Sequence, residues 1–63
     1  MTLAMKVKRL RAARGMTQEV LAHRAKVSAG YIARLETGHD DPKVSTLKRL
    51  AEALGVPMTA LLE

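Results

Sequence analysis

The stretch from Thr17 to Gly38, TQEVLAHRAKVSAGYIARLETG, constrains this chain more than any other part of it. It predicts two short helices joined by a tight turn. Thr17 can cap the first, because its hydroxyl accepts a hydrogen bond from an orphan N–H one turn inside the helix. Gln18 to Ala25 then read as helix, with Val20, Leu21 and Ala22 available to a core. Lys26 and Val27 make the turn. Ser28 caps a second helix running to about Thr37, and Gly38 suits the position just past its end. Neither helix is long enough to persist alone in water, so the two must fold as a packed unit.

The spacing is that of a helix-turn-helix. At about 100° per residue, Ile32 and Leu35 share one side of the second helix. Gly30, Ala33, Arg34 and Thr37 point the other way, with Ala29 and Tyr31 on the flanks. A face of small side chains lets a helix sit deep in a major groove, and an arginine supplies the two-pronged donor that matches guanine. The same face also reads as ordinary solvated surface that happens to carry one arginine. This helix alone does not separate the two readings.

The charge distribution does. Residues 1–34 carry eight basic groups and one acid, Glu19, a balance of +7, while residues 35–63 carry three basic groups and five acids, a balance of −2. One strongly positive half is the electrostatic footprint of a polyanion binder, and here it contains the helix pair. Membrane-surface binding would need an exposed apolar face beside the basic one. The predicted core uses those faces. The longest charge-free run, Ala53 to Leu62, is too short to span a bilayer, and the start lacks a secretory pattern. The expected location is the cytoplasm, with no membrane partner.

Catalysis and metal binding find little support. With no cysteine and two distant histidines, neither a disulfide nor a structural zinc site is expected. His23 has no carboxylate to orient it. Asp40 and Asp41 beside His39 read as turn formers, not as an acid–base cluster. No enzyme activity, catalytic residue, metal or cofactor is expected.

Gly15, Gly38 and Gly55 fall where helices should end. Helix 1 is predicted from about Leu3 to Arg14, with Leu3, Val7 and Leu10 as its apolar stripe and Lys8 and Arg9 facing away. Helix 4 is predicted from Val44 to Leu54, with Val44, Leu47, Leu50, Ala51 and Leu54 on one face. Pro57 begins a short fifth helix. No segment alternates with period two. The sequence therefore reads as one all-α domain over residues 1–63, filled almost entirely by aliphatic side chains.

These residues resemble the phage-repressor and Cro-type helix-turn-helix family, the Xre-type bacterial regulators. The matching text is KRLRAARGMTQEVLAHRAKVSAGYIARLETG, then the Pro42 loop, then LKRLAEALGV and MTALLE. The resemblance implies a compact five-helix, lambda-repressor-like domain with the helix-turn-helix at helices 2 and 3. It implies a sequence-specific regulator of transcription, a repressor in its usual form. Such a protein binds duplex DNA at a near-palindromic operator, with helix 3 (about residues 28–37) in the major groove.

Carried over by position, it assigns Gln18 to a backbone phosphate, where a helix N-terminus also favours an anion. Ser28 falls to a phosphate or base edge. Ala29, Gly30 and Arg34 fall at base-facing positions, and Tyr31 reaches the backbone or groove wall. His39 and Lys43 lie in a loop that touches phosphate. Arg11 and Glu36 match a structural ion pair. A homodimer, weak when free, is expected to use leftover apolar surface around Val56, Met58, Leu61 and Leu62.

Two positions depart from the family pattern. Lys26 stands where the turn commonly has Gly, and a left-handed residue with a Cβ costs about 1 kcal/mol. Pro57 stands where helix 5 usually has a capping side chain. Ala29 and Gly30 also offer no hydrogen-bonding side chain, so DNA shape should carry part of the readout. The alternative function is a small protein-interaction module, such as an antitoxin, working through helices 4 and 5.

Overall fold

The computed structural model describes residues 1–63 as five helices and no strand. They are α1 (Leu3–Ala13), α2 (Gln18–Ala25), α3 (Ala29–Glu36), α4 (Val44–Leu54) and α5 (Thr59–Leu62). Local chemistry fixes most of the boundaries. The hydroxyls of Thr2, Thr17 and Ser28 accept from the N–H groups of Met5, Val20 and Tyr31, at 3.2, 3.1 and 3.0 Å. Each thereby satisfies one orphan donor of a first turn. Lys43 precedes α4 without a side-chain cap.

The turn between α2 and α3 is left-handed at Lys26, with φ 61° and ψ 43°. It is the only residue other than glycine with positive φ. Its cost of about 1 kcal/mol is borne because the closing bond forms. The N–H of Val27 donates to the Ala22 carbonyl at 2.9 Å.

The core is aliphatic. Val7, Leu21, Ile32, Leu35, Leu50 and Leu54 are its largest fully buried side chains. The α2–α3 pair packs on itself and α2 packs on α4, while α1 lies against α3 and α5. Met16, in the α1–α2 connection, and Thr46 on α4 are also buried. No fully buried side-chain nitrogen or oxygen lacks a hydrogen-bond partner. No helix is long and apolar enough to cross a membrane.

Several sequence expectations change. Val20 is exposed, because the buried face of α2 is Leu21, Ala22 and Ala25 and Val20 lies nearly opposite its centre. Val44 is 72% exposed. It opens α4 before that helix meets the core, so the apolar stripe begins at Leu47. The fifth helix begins at Thr59 rather than at Pro57, whose carbonyl accepts from the Ala60 N–H at 3.0 Å. Leu61 and Leu62 point apart, as neighbours on a helix must, at 2% and 61% exposure. Leu61 therefore closes the core and is unavailable to a dimer surface.

A polar knot joins three helices. Arg11 of α1 donates through Nε to Glu36 Oε2 at 2.7 Å and through Nη2 to Glu36 Oε1 at 3.1 Å. Its Nη1 donates to the Met16 carbonyl at 2.8 Å. Gln18, the first residue of α2, donates through Nε2 to Glu36 Oε1 at 3.1 Å. The bond to Glu36 raises the Arg11 guanidinium above its ordinary value, against the opposing effect of burial. The side chains of Arg11 and Glu36 are only 15% and 3% exposed. Glu36→Ala should therefore lower stability by about 2–4 kcal/mol, by stranding a largely enclosed arginine. Arg34→Ala should change it by about 0.5 kcal/mol or less, since its ion pair is exposed. Urea unfolding of the two variants checks this, and equal midpoints would remove the knot from the account.

Candidate nucleic-acid interface

The outward face of α3 is a sterically open helix surface that carries a cation and follows a tight turn. Ile32 and Leu35 anchor the helix inward at 0% and 1% exposure. Gly30, Arg34 and Thr37 are exposed, and Ala29, Tyr31 and Ala33 are half-buried flanks. Ala29 packs against the core along one side, so it offers a groove less than Gly30 and Arg34 do. Ser28 is exposed, with its hydroxyl engaged in the cap.

Arg34 is the long cation on this face. Its Nε donates to Asp40 Oδ2 at 2.8 Å, across the turn that follows α3. Its guanidinium carbon lies 5.9 Å from the centre of the Tyr31 ring, within the range of cation–π attraction. Partial burial raises the Tyr31 phenol above its ordinary value, with the Asp40 charge adding and Arg34 and Arg49 opposing. The phenol is thus a protonated donor at neutral pH.

The loop after α3 is held by its own hydrogen bonds. The Thr37 hydroxyl donates to the Arg34 carbonyl at 2.9 Å and lies 2.8 Å from His39 Nδ1. The His39 N–H donates to the Arg34 carbonyl at 3.0 Å. His39 and Lys43 are both exposed in this loop. Gln18, by contrast, is half-buried and spends its side-chain amide on Glu36. Its place at the start of α2 sets that helix's N-terminus beside the end of α3. A second basic group, Arg24, Lys26 and Arg49 with Glu52, lines a shallow depression of about 250 Å³ between α2 and α4.

Two features were hidden from sequence reasoning. Asp40 reads there as a turn former, yet it grips the one exposed cation of α3. Its spacing of six residues from Arg34 signals nothing until the loop conformation is known. The Gln18–Glu36 bond is likewise invisible, because it spans 18 residues with no periodic relation. At the C-terminal end, Val56 and Met58 are half-buried against the core, Leu61 is inside it and Leu62 is exposed.

A helix-turn-helix family profile (HTH_3) matches residues 7–61. The immunity repressor protein of Bacillus phage phi105 is 38% identical over 61 residues, which cover 97% of this chain and 42% of that protein. The uncharacterized HTH-type transcriptional regulator y4dJ of Sinorhizobium fredii is 48% identical over 48 residues, 76% of this chain and 62% of that protein. The crystal structure of the restriction-modification controller protein C.AhdI from Aeromonas hydrophila superposes with a TM-score of 0.92 at 27% identity. The match covers 94% of this chain and 89% of that one. The chain spans about half the length of the curated relatives it matches. With a profile match over nearly its whole length, the chain belongs to the helix-turn-helix family, in its HTH_3, Xre-type branch.

Proposed function

We propose that the chain is a sequence-specific duplex-DNA-binding regulator of transcription, a repressor in its simplest mode, acting in the cytoplasm on a near-palindromic operator. The observation that carries this is the outer face of α3, where Gly30 and half-buried Ala29 and Ala33 leave a groove-sized surface bearing one exposed arginine. A helix so shaped enters a major groove closely, and arginine there matches the acceptor pair of guanine. The +7 balance of residues 1–34 supplies the attraction to phosphate that every such complex needs. Ser28, Tyr31, His39 and Lys43 are the candidate backbone contacts, with Gln18 contributing through the helix N-terminus it opens while its amide is held by Glu36. The phage immunity repressor and the controller protein among the relatives favour the same reading.

Selection of bound duplexes from a random pool, followed by titration over a salt series, tests this reading. About four to six phosphate contacts per subunit should each contribute roughly −0.9 to the slope of log K against log salt. Arg34→Ala should weaken the selected site by about 1–3 kcal/mol and weaken random duplex much less. A flat salt response, or an unchanged selected site in Arg34→Ala, contradicts the reading.

One α3 reads only a few base pairs, so a two-fold pair on half-sites about 34 Å apart completes the proposal. At the C-terminal end the apolar surface left for pairing is Leu62, with the half-buried Val56 and Met58 nearby in sequence. Leu62→Glu should convert two chains per selected duplex into one, with weaker binding and unchanged unfolding. Sedimentation of the complex reads the ratio. Two chains per duplex in the variant would move the interface elsewhere.

A further inference from the structure

We propose that Asp40 is a specificity-determining residue: it grips Arg34 by Nε, aims the two Nη groups at a base edge, and keeps the guanidinium off neighbouring phosphates. The inference rests on the DNA-binding role proposed above and names what sets its selectivity.

Three distances place the guanidinium. Asp40 Oδ2 takes the Nε–H at 2.8 Å. The Tyr31 ring lies 5.9 Å from the guanidinium carbon. Nη1 reaches back over Gly30, 3.8 Å from where a Cβ on that residue would stand. The guanidinium therefore lies over the N-terminal half of α3, the half that recognition helices present to base edges. One of its five N–H groups is spent on Asp40. The four on Nη1 and Nη2 remain, and two parallel ones are what guanine O6 and N7 accept.

The charges point the same way. The Arg34–Asp40 pair is neutral as a unit, so it adds little to the general pull on phosphate. It is also an exposed pair, at 58% and 34%, so it adds little to stability. What it changes is direction and entropy, because a flexible side chain is ordered before the DNA arrives. The carboxylate has a fixed seat for this task. Its loop is tied to the end of α3 by the Thr37–His39 contact and by the His39 N–H to the Arg34 carbonyl. A free arginine at this position would turn to the nearest phosphate and bind all sequences alike.

The test compares the full chain with Asp40→Ala, Asp40→Asn, Arg34→Ala and the double variant Arg34→Ala/Asp40→Ala. Each is titrated with the selected duplex, its single-base-pair variants and random duplex, with urea unfolding alongside. Asp40→Ala should unfold like the unsubstituted chain. It should lose about tenfold in discrimination at the base pair that Arg34→Ala identifies. Its random-duplex binding should tighten, and the salt slope should steepen by about one phosphate. Asp40→Asn, which keeps the acceptor without the charge, should retain more discrimination than Asp40→Ala. The double variant should discriminate no worse than Arg34→Ala alone, since the two residues act as one unit. Asp40→Ala discriminating like the unsubstituted chain, or losses that add in the double variant, overturns the proposal alone. An unsubstituted chain with no preference among duplexes overturns the DNA-binding role with it.

Discussion

The bidentate bond from Arg11 to Glu36 is the interaction on which the rest of this fold depends. Hydrophobic burial is non-directional and roughly proportional to area. A core of Leu, Ile, Val and Ala therefore fixes which face of each helix turns inward, but specifies how the helices sit against one another less sharply than a directional bond does. The chain has a single aromatic residue and no disulfide, and a domain of 63 residues buries only about 60% of its unfolded surface. Direction comes instead from the guanidinium. It binds the end of α3 through Nε and Nη2 and the Met16 carbonyl through Nη1, so α1, the α1–α2 connection and α3 are set relative to one another. Gln18 adds the start of α2 to the same carboxylate.

This frame explains why two arginines in one small protein have opposite uses. Arg11 is nearly enclosed, with its partner at 3% exposure, and belongs to the architecture. Arg34 stands at 58% exposure on the far side of α3, paired to a loop carboxylate. The inward face of α3 is consumed by Ile32 and Leu35, and its end by Glu36 in the knot. What remains outward is a narrow, small-residue surface. Its orientation is inherited from the knot and its entry angle from the left-handed turn at Lys26.

Features that depend on local chemistry were legible in the sequence. The caps at Thr17 and Ser28 and the helix stops near Gly15, Gly38 and Gly55 follow from one or two residues each. Helix spacing places the turn at Lys26 and Val27, while the left-handed conformation of Lys26 was available only through the family pattern, which commonly has Gly there. Features that depend on where an element ends relative to the core were not. Val44 fits the apolar stripe of α4 yet lies outside, because periodicity says which residues share a face but not how far the neighbouring helix extends, whereas Val20 lies outside because it faces away from the buried side of α2. Leu61 and Leu62 could not be ranked in a four-residue helix with too few turns to show a period. The pairing of Arg11 with Glu36 was available through family likeness alone. That of Arg34 with Asp40 needed the loop's conformation, which no local pattern encodes.

The central claim is that a fixed internal frame presents α3 and its flanking loop to duplex DNA. Titration of the labelled protein with a selected duplex, followed by backbone and arginine side-chain NMR, reads frame and face together. The account predicts shifts at Ser28 to Arg34, at the start of α2 and at His39 to Lys43, with the Arg11 Nε–H resonance still protected and unmoved. Shifts confined to α4 and α5, or loss of the Arg11 signal on binding, would contradict it.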